Sequence, residues 1–228
     1  MRIVVILLFI LINVTNTFAQ QQTAAEREAY VKVITERAAK ITATLGINEK
    51  SKADKVTTII RDQYSNLNDI YAARDIKYKT IKEVNKDNKV LRDTLIAQEN
   101  RRVEASLAKL HQKYLKNLSS ELTADQVTKV KDGMTYGVLP LTYRAYQEQL
   151  LKLTPEQKKQ ILIWLTEARE KAMDAESSDK KHAWFGKYKG RINNYLSVQG
   201  YDLKQEGIEW QKRIKAAKEA NKNTNKVD

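Results

Sequence analysis

The 228-residue chain has no cysteine, two histidines, two prolines and seven glycines. Without cysteine there is no disulfide scaffold, zinc ribbon, thiol nucleophile or lipid-modified N-terminal cysteine. Two histidines leave almost no material for a histidine-based metal centre, and no metal or other cofactor is expected. An all-β chain needs a turn every few residues, which so few glycines and prolines do not supply. No stretch alternates in polarity with period two over a strand's length.

What is present favours helices. Charged residues make up 30% of the chain and apolar ones 42%, a mixture rich in helix formers. We expect one all-α domain of about seven helices and no sheet, spanning residues 20–217. Residues 218–228 read as a flexible basic tail, because Lys, Ala and Asn dominate there. Residues 1–19 read as a signal peptide: Arg2 is the charged start, Ile3 to Ile12 the apolar run, and Thr17-Phe18-Ala19 the small-residue cleavage region before Gln20. The apolar run is too short to span a bilayer, and Asn13 and Asn16 interrupt it. The expected product is periplasmic or secreted, without stable membrane insertion. The net charge of +13 then points away from nucleic acid and towards acidic glycans, lipid headgroups or other proteins.

Apolar residues recur at helical spacing along the chain. Tyr30, Ile34, Ala38, Ile41 and Leu45 form a stripe that Gly46 can end. A second stripe, from Val56 to Ile81, begins after Asn48, and the polar run Asn85 to Lys89 marks a break before a third, from Val103 to Leu118. Two later starts carry capping boxes. Leu122-Thr123-Ala124-Asp125-Gln126 and Leu153-Thr154-Pro155-Glu156-Gln157 each place Thr at the cap and Gln three residues on. This five-residue pattern resembles that of periplasmic helical chaperones of the Spy and CpxP type, which gives a chaperone as one alternative function. Local capping alone explains the pattern and is the favoured reading of it.

Two segments carry chemistry. Lys131 to Pro140 holds two glycines and a proline, so we expect an irregular corner presenting Asp132, Tyr136 and, just beyond, Tyr143. A helix from Ser178 to Gly200 has Phe185, Ile192 and Leu196 as its core stripe. Beside that stripe run Trp184, Tyr188, Arg191 and Tyr195 at i, i+4, i+7 and i+11. Rings covering the apolar face of a pyranose, with His182, Lys187, Arg191 and Asn194 to meet hydroxyls or carboxylates, are what a sugar-binding surface requires. Gly186 and Gly190 cost about 1 kcal/mol each in a helix interior, so a packed neighbour or a nearby ligand is expected to offset them.

The runs Asp132-Gly-Met-Thr-Tyr-Gly-Val-Leu-Pro140, Ala168-Arg-Glu-Lys-Ala-Met-Asp174 and His182-Ala-Trp-Phe-Gly-Lys-Tyr-Lys-Gly-Arg-Ile-Asn-Asn-Tyr-Leu196 resemble one family. It is a family of secreted bacterial proteins catalogued as a domain of unknown function, number three-eight-two-six. The resemblance covers about Ala25 to Trp210. It implies export, helicity and a setting in plant-polysaccharide utilisation with sugar binding, and brings no catalytic residues. The expected ligand is therefore an anionic or plant-type glycan, held by Asp132, Tyr136, Tyr143, His182, Trp184, Lys187, Tyr188, Arg191 and Asn194.

Catalytic signatures are sparse. There is no Gly-x-Ser-x-Gly elbow, no His-Glu-x-x-His, and Gly186-Lys-Tyr-Lys-Gly190 lacks the spacing of a phosphate loop. Glu167, Glu170 and Asp174 share a helical face, as a hydrolase carboxylate pair could, but the interleaved Arg169 and Lys171 favour a solvated charged helix. A uronate lyase is the remaining enzyme alternative. His182, Tyr188 and Arg191 supply a base and a carboxylate neutraliser, although the candidates do not all share one face.

Overall fold

The computed structural model describes residues 23–224; the expected leader lies outside them. Helix ends sit where local chemistry puts them. In both predicted capping boxes the Thr hydroxyl accepts the Gln amide and the Gln carbonyl accepts the Thr amide, at Thr123–Gln126 and at Thr154–Gln157. A third box, Thr23–Glu26, opens the first helix. Gly46 takes φ +67 just beyond that helix, the left-handed geometry that favours glycine.

Eight helices and no strand occur among the described residues: α1 (Ala24–Ala43), α2 (Lys50–Val84), α3 (Lys89–Ser119), α4 (Ala124–Met134), α5 (Val138–Gln149), α6 (Pro155–Met173), α7 (Ser178–Val198) and α8 (Leu203–Thr224). The protein is all-α. α2 and α3 form a long antiparallel hairpin around the predicted break, with Asn88 capping α3. α7 is capped by Ser177, whose hydroxyl accepts the Lys180 amide. The tail boundary expected at Ala217 falls inside α8. No described helix is long and apolar enough to cross a membrane.

The irregular corner is shorter than its composition suggests. Only Thr135, Tyr136 and Gly137 separate α4 from α5. Pro140 lies in the first turn of α5, where its missing N–H costs nothing. Gly133 lies inside α4 because the helix presses on α1: a Cβ there would stand 3.0 Å from Ile41 Cγ1. The reversal itself uses two successive left-handed residues, Tyr136 at φ 58 and Gly137 at φ 65. Gly137 N–H closes it by donating to the Asp132 carbonyl at 2.8 Å.

Burial organises the helices into two apolar clusters. In one, Ile34, Ile41, Val56, Ile60, Leu118 and Met134 join the predicted α1, α2 and α3 stripes to α4. In the other, Leu139, Leu150, Ile161, Leu165, Phe185 and Leu196 join α5, α6 and α7. α6 serves both, giving Met173 to the first and Ala168 and Ala172 to the second.

Candidate functional site

Between the two clusters α6 meets α3 and α4 through charge. His111, on α3, holds Asp174 Oδ2 at 2.7 Å with Nδ1 and approaches Glu170 Oε2 at 3.4 Å with Nε2. Lys131 Nζ, on α4, donates to the same Glu170 oxygen at 2.9 Å. Arg169, only 7% exposed, donates to Asp132 Oδ1 at 2.8 Å. Tyr71, on α2, donates its hydroxyl to the Asp174 carbonyl at 2.7 Å. The expectation of a solvated acidic face is therefore corrected for Glu170 and Asp174. The acids turn inward because two other helices, α3 and α4, carry cations to meet them, and only Glu167 stays exposed.

This arrangement fixes charge states. The hydrogen bonds from His111 to Asp174 and then Glu170 outweigh burial and raise its pKa to about 9. Burial pushes Glu170 up, but hydrogen bonds from His111 and Lys131 prevail and bring it down to about 2. At neutral pH an imidazolium faces the ionised Glu170, so neither of these two groups is poised to exchange a proton. Asp174 Oδ1 and Arg169 Nε are buried without a hydrogen-bond partner. No group of three or more His, Asp or Glu among the described residues is arranged to hold a metal ion.

A neighbouring buried charge ties the helices together. Lys181, 5% exposed, donates to the carbonyls of Met134 at 3.1 Å and Met173 at 3.3 Å. These close α4 and α6, so the ammonium sits at two negative helix ends. Burial nevertheless lowers its pKa to about 8.

Over the charged seam lies a groove of about 730 Å³ whose lining includes Tyr71, Arg74, His111, Glu170, Asp174 and Trp184. Arg74 covers the Tyr71 ring at 4.8 Å and pairs with Glu176 at 2.5 Å. Lys171 and Lys180 also line the groove. Beyond Trp184 the predicted aromatic face of α7 continues against α6. Arg191 stacks on Trp164 at 4.7 Å, Trp164 meets Tyr195 edge-on, and Lys187 Nζ lies 5.2 Å from the Trp184 ring. Burial, together with the charge of nearby Glu167, raises the pKa of Tyr188.

The nine residues expected at the site thus fall into several places. Trp184, Lys187, Tyr188 and Arg191 form the α6–α7 ledge. Tyr136 and His182 meet each other instead, stacked with centroids 5.6 Å apart and planes at 11°. His182 therefore lies on another flank of α7 from Tyr188 and Arg191, and the three lyase candidates do not converge. Asp132 is bound to Arg169. Tyr143 packs against the second cluster, and Asn194 is exposed. Gly186 and Gly190 correct a further expectation: a Cβ on either meets nothing within 4 Å, so no neighbouring helix explains them.

Sequence reasoning missed His111, Arg74 and Tyr71, which have no local motif. The shared face of Glu170 and Asp174 was the one available signal. Among curated proteins, none matches the sequence significantly. A family model described as a protein of unknown function, DUF3826, matches residues 31–216. That match covers most of the chain, its motif-bearing corner and all of α7, and the protein belongs to this family.

Proposed function

We propose that the protein is an exported glycan-binding protein that holds an acidic polysaccharide along the α6–α7 ledge and in the groove over His111. One observation carries this reading: Trp184 belongs to both features, so an aromatic ledge opens directly into a polar groove. Aromatic rings suit the C–H faces of sugars, and fixed charges suit their hydroxyls. The preference for an acidic chain follows from which charges are already matched. Glu170 and Asp174 are engaged by His111 and Lys131, and Glu176 by Arg74. Lys171, Lys180 and Lys187 have no ion-pair partner among the described residues, whereas only Glu104 is left as a comparable groove acid.

The reading is one of binding rather than cleavage. His111 and Glu170 are held as ions, and His182 sits away from the ledge. Affinity electrophoresis in gels containing polygalacturonate should retard the mature protein, and Trp184→Ala should lose most of that retardation. Ultraviolet absorbance of the polymer should not rise, because no unsaturated uronate forms. An absorbance increase would replace this reading with a lyase. Suppressed aggregation of unrelated unfolded proteins, with no retardation, would replace it with a chaperone.

A further inference from the structure

The opposite flank of α7 carries a second set of exposed groups that the ledge does not use. His182, Gly186, Lys189 and Asn193 follow at i, i+4, i+7 and i+11, so they share one face. Tyr136 stands over the start of this face, 48% exposed and stacked on His182. At the other end, Lys189 and Asn193 line a cleft of about 440 Å³ with Leu141, Tyr146 and Gln149. Tyr146 donates its hydroxyl to Asn193 Oδ1 at 2.7 Å, which fixes that amide at the cleft wall.

Two features of this flank carry a local conformational cost. Tyr136 is the one described non-glycine residue at positive φ, in the position after a helix end that glycine normally fills. Gly186 lowers helix propensity, yet open space surrounds the place its side chain would occupy. Both become intelligible if a ligand lies there. The strained backbone presents an aromatic ring, and the missing side chain clears a path from that ring to Lys189 and Asn193.

The geometry points to a second glycan-binding face on α7, running from the Tyr136–His182 stack past Gly186 to Lys189 and Asn193. Resting on the glycan reading above, it makes the protein bivalent for uronate-containing chains. A sugar ring stacks on Tyr136, the chain crosses the bare backbone at Gly186, and Lys189 meets a carboxylate.

The test uses two substitutions that ease the fold while spoiling the face. Tyr136→Gly removes the left-handed strain together with the ring, and Gly186→Leu restores helix propensity while filling the path. Calorimetric titration with short oligogalacturonates should find two sites on the wild-type protein and one on either variant. Each variant should melt no lower than wild type, which separates a binding loss from misfolding. Trp184→Ala should lose the other site and keep this one. If both variants bind with wild-type stoichiometry while Trp184→Ala loses a site, the second face is wrong and the ledge stands. If the wild-type protein binds no oligogalacturonate, the glycan reading falls and this inference with it.

Discussion

His111 shows how one side chain can set the behaviour of a site. Its folded pKa of about 9 lies above its ordinary 6.5, so the stability it contributes is full below about pH 6.5 and is lost as pH rises through 9. We expect His111→Gln to cost about 2 kcal/mol in urea denaturation at about pH 6, with the gap to wild type shrinking between about pH 6.5 and 9. A constant gap across that range would mean that packing, and not the imidazolium, holds α3 to α6. Glu170 works in the opposite sense: its pKa of about 2 lies below 4.5, so its contribution is present above pH 4.5 and disappears towards pH 2. None of this is legible in the sequence, because His111 and Asp174 are 63 residues apart and meet only once three helices have packed. The Tyr136–His182 stack is different in kind. Both residues stood out by local composition, but their meeting depends on a left-handed tyrosine that no pattern announces.

At the scale of the helix, ends matter more than middles. Thr154→Ala should destabilise the protein by about 1 kcal/mol, since it opens one capping box and leaves the Gln157 amide unpaired. Lys181→Ala should cost more, about 2–4 kcal/mol, by removing a buried stem and the donor shared by the last carbonyls of α4 and α6. The lysine also leaves a signature in pH. Its folded pKa of about 8 lies below 10.5, so the unfolded chain binds more protons between these values and stability rises with pH across them. Lys181→Met should flatten that rise in denaturation curves taken from about pH 8 to 10.5. Helices and their caps were legible in the sequence because both are local, set by residues three or four apart. The boundary between α4 and α5 was misjudged for a related reason. Gly133 and Pro140 read as breakers, whereas Gly133 answers a contact with Ile41 in α1 and Pro140 occupies a first turn that tolerates it.

For the whole molecule, excess positive charge and the unpaired lysines of the ledge predict that polygalacturonate binding weakens with added salt, as screening reduces attraction between exposed charges. Retardation unchanged between low and high salt would leave stacking as the sole source of affinity. The placement of the charged seam has a consequence for how the protein comes apart. Two separate apolar clusters share α6, and what joins them across α3 and α4 is largely ionic. Cooperativity between the halves is therefore carried by a few charges, so the number of melting steps is a property of the seam. The wild-type protein should absorb heat in a single transition. A variant carrying both His111→Gln and Glu170→Gln should melt in two, with amides of α1 to α4 exchanging hydrogen at a different rate from those of α5 to α7.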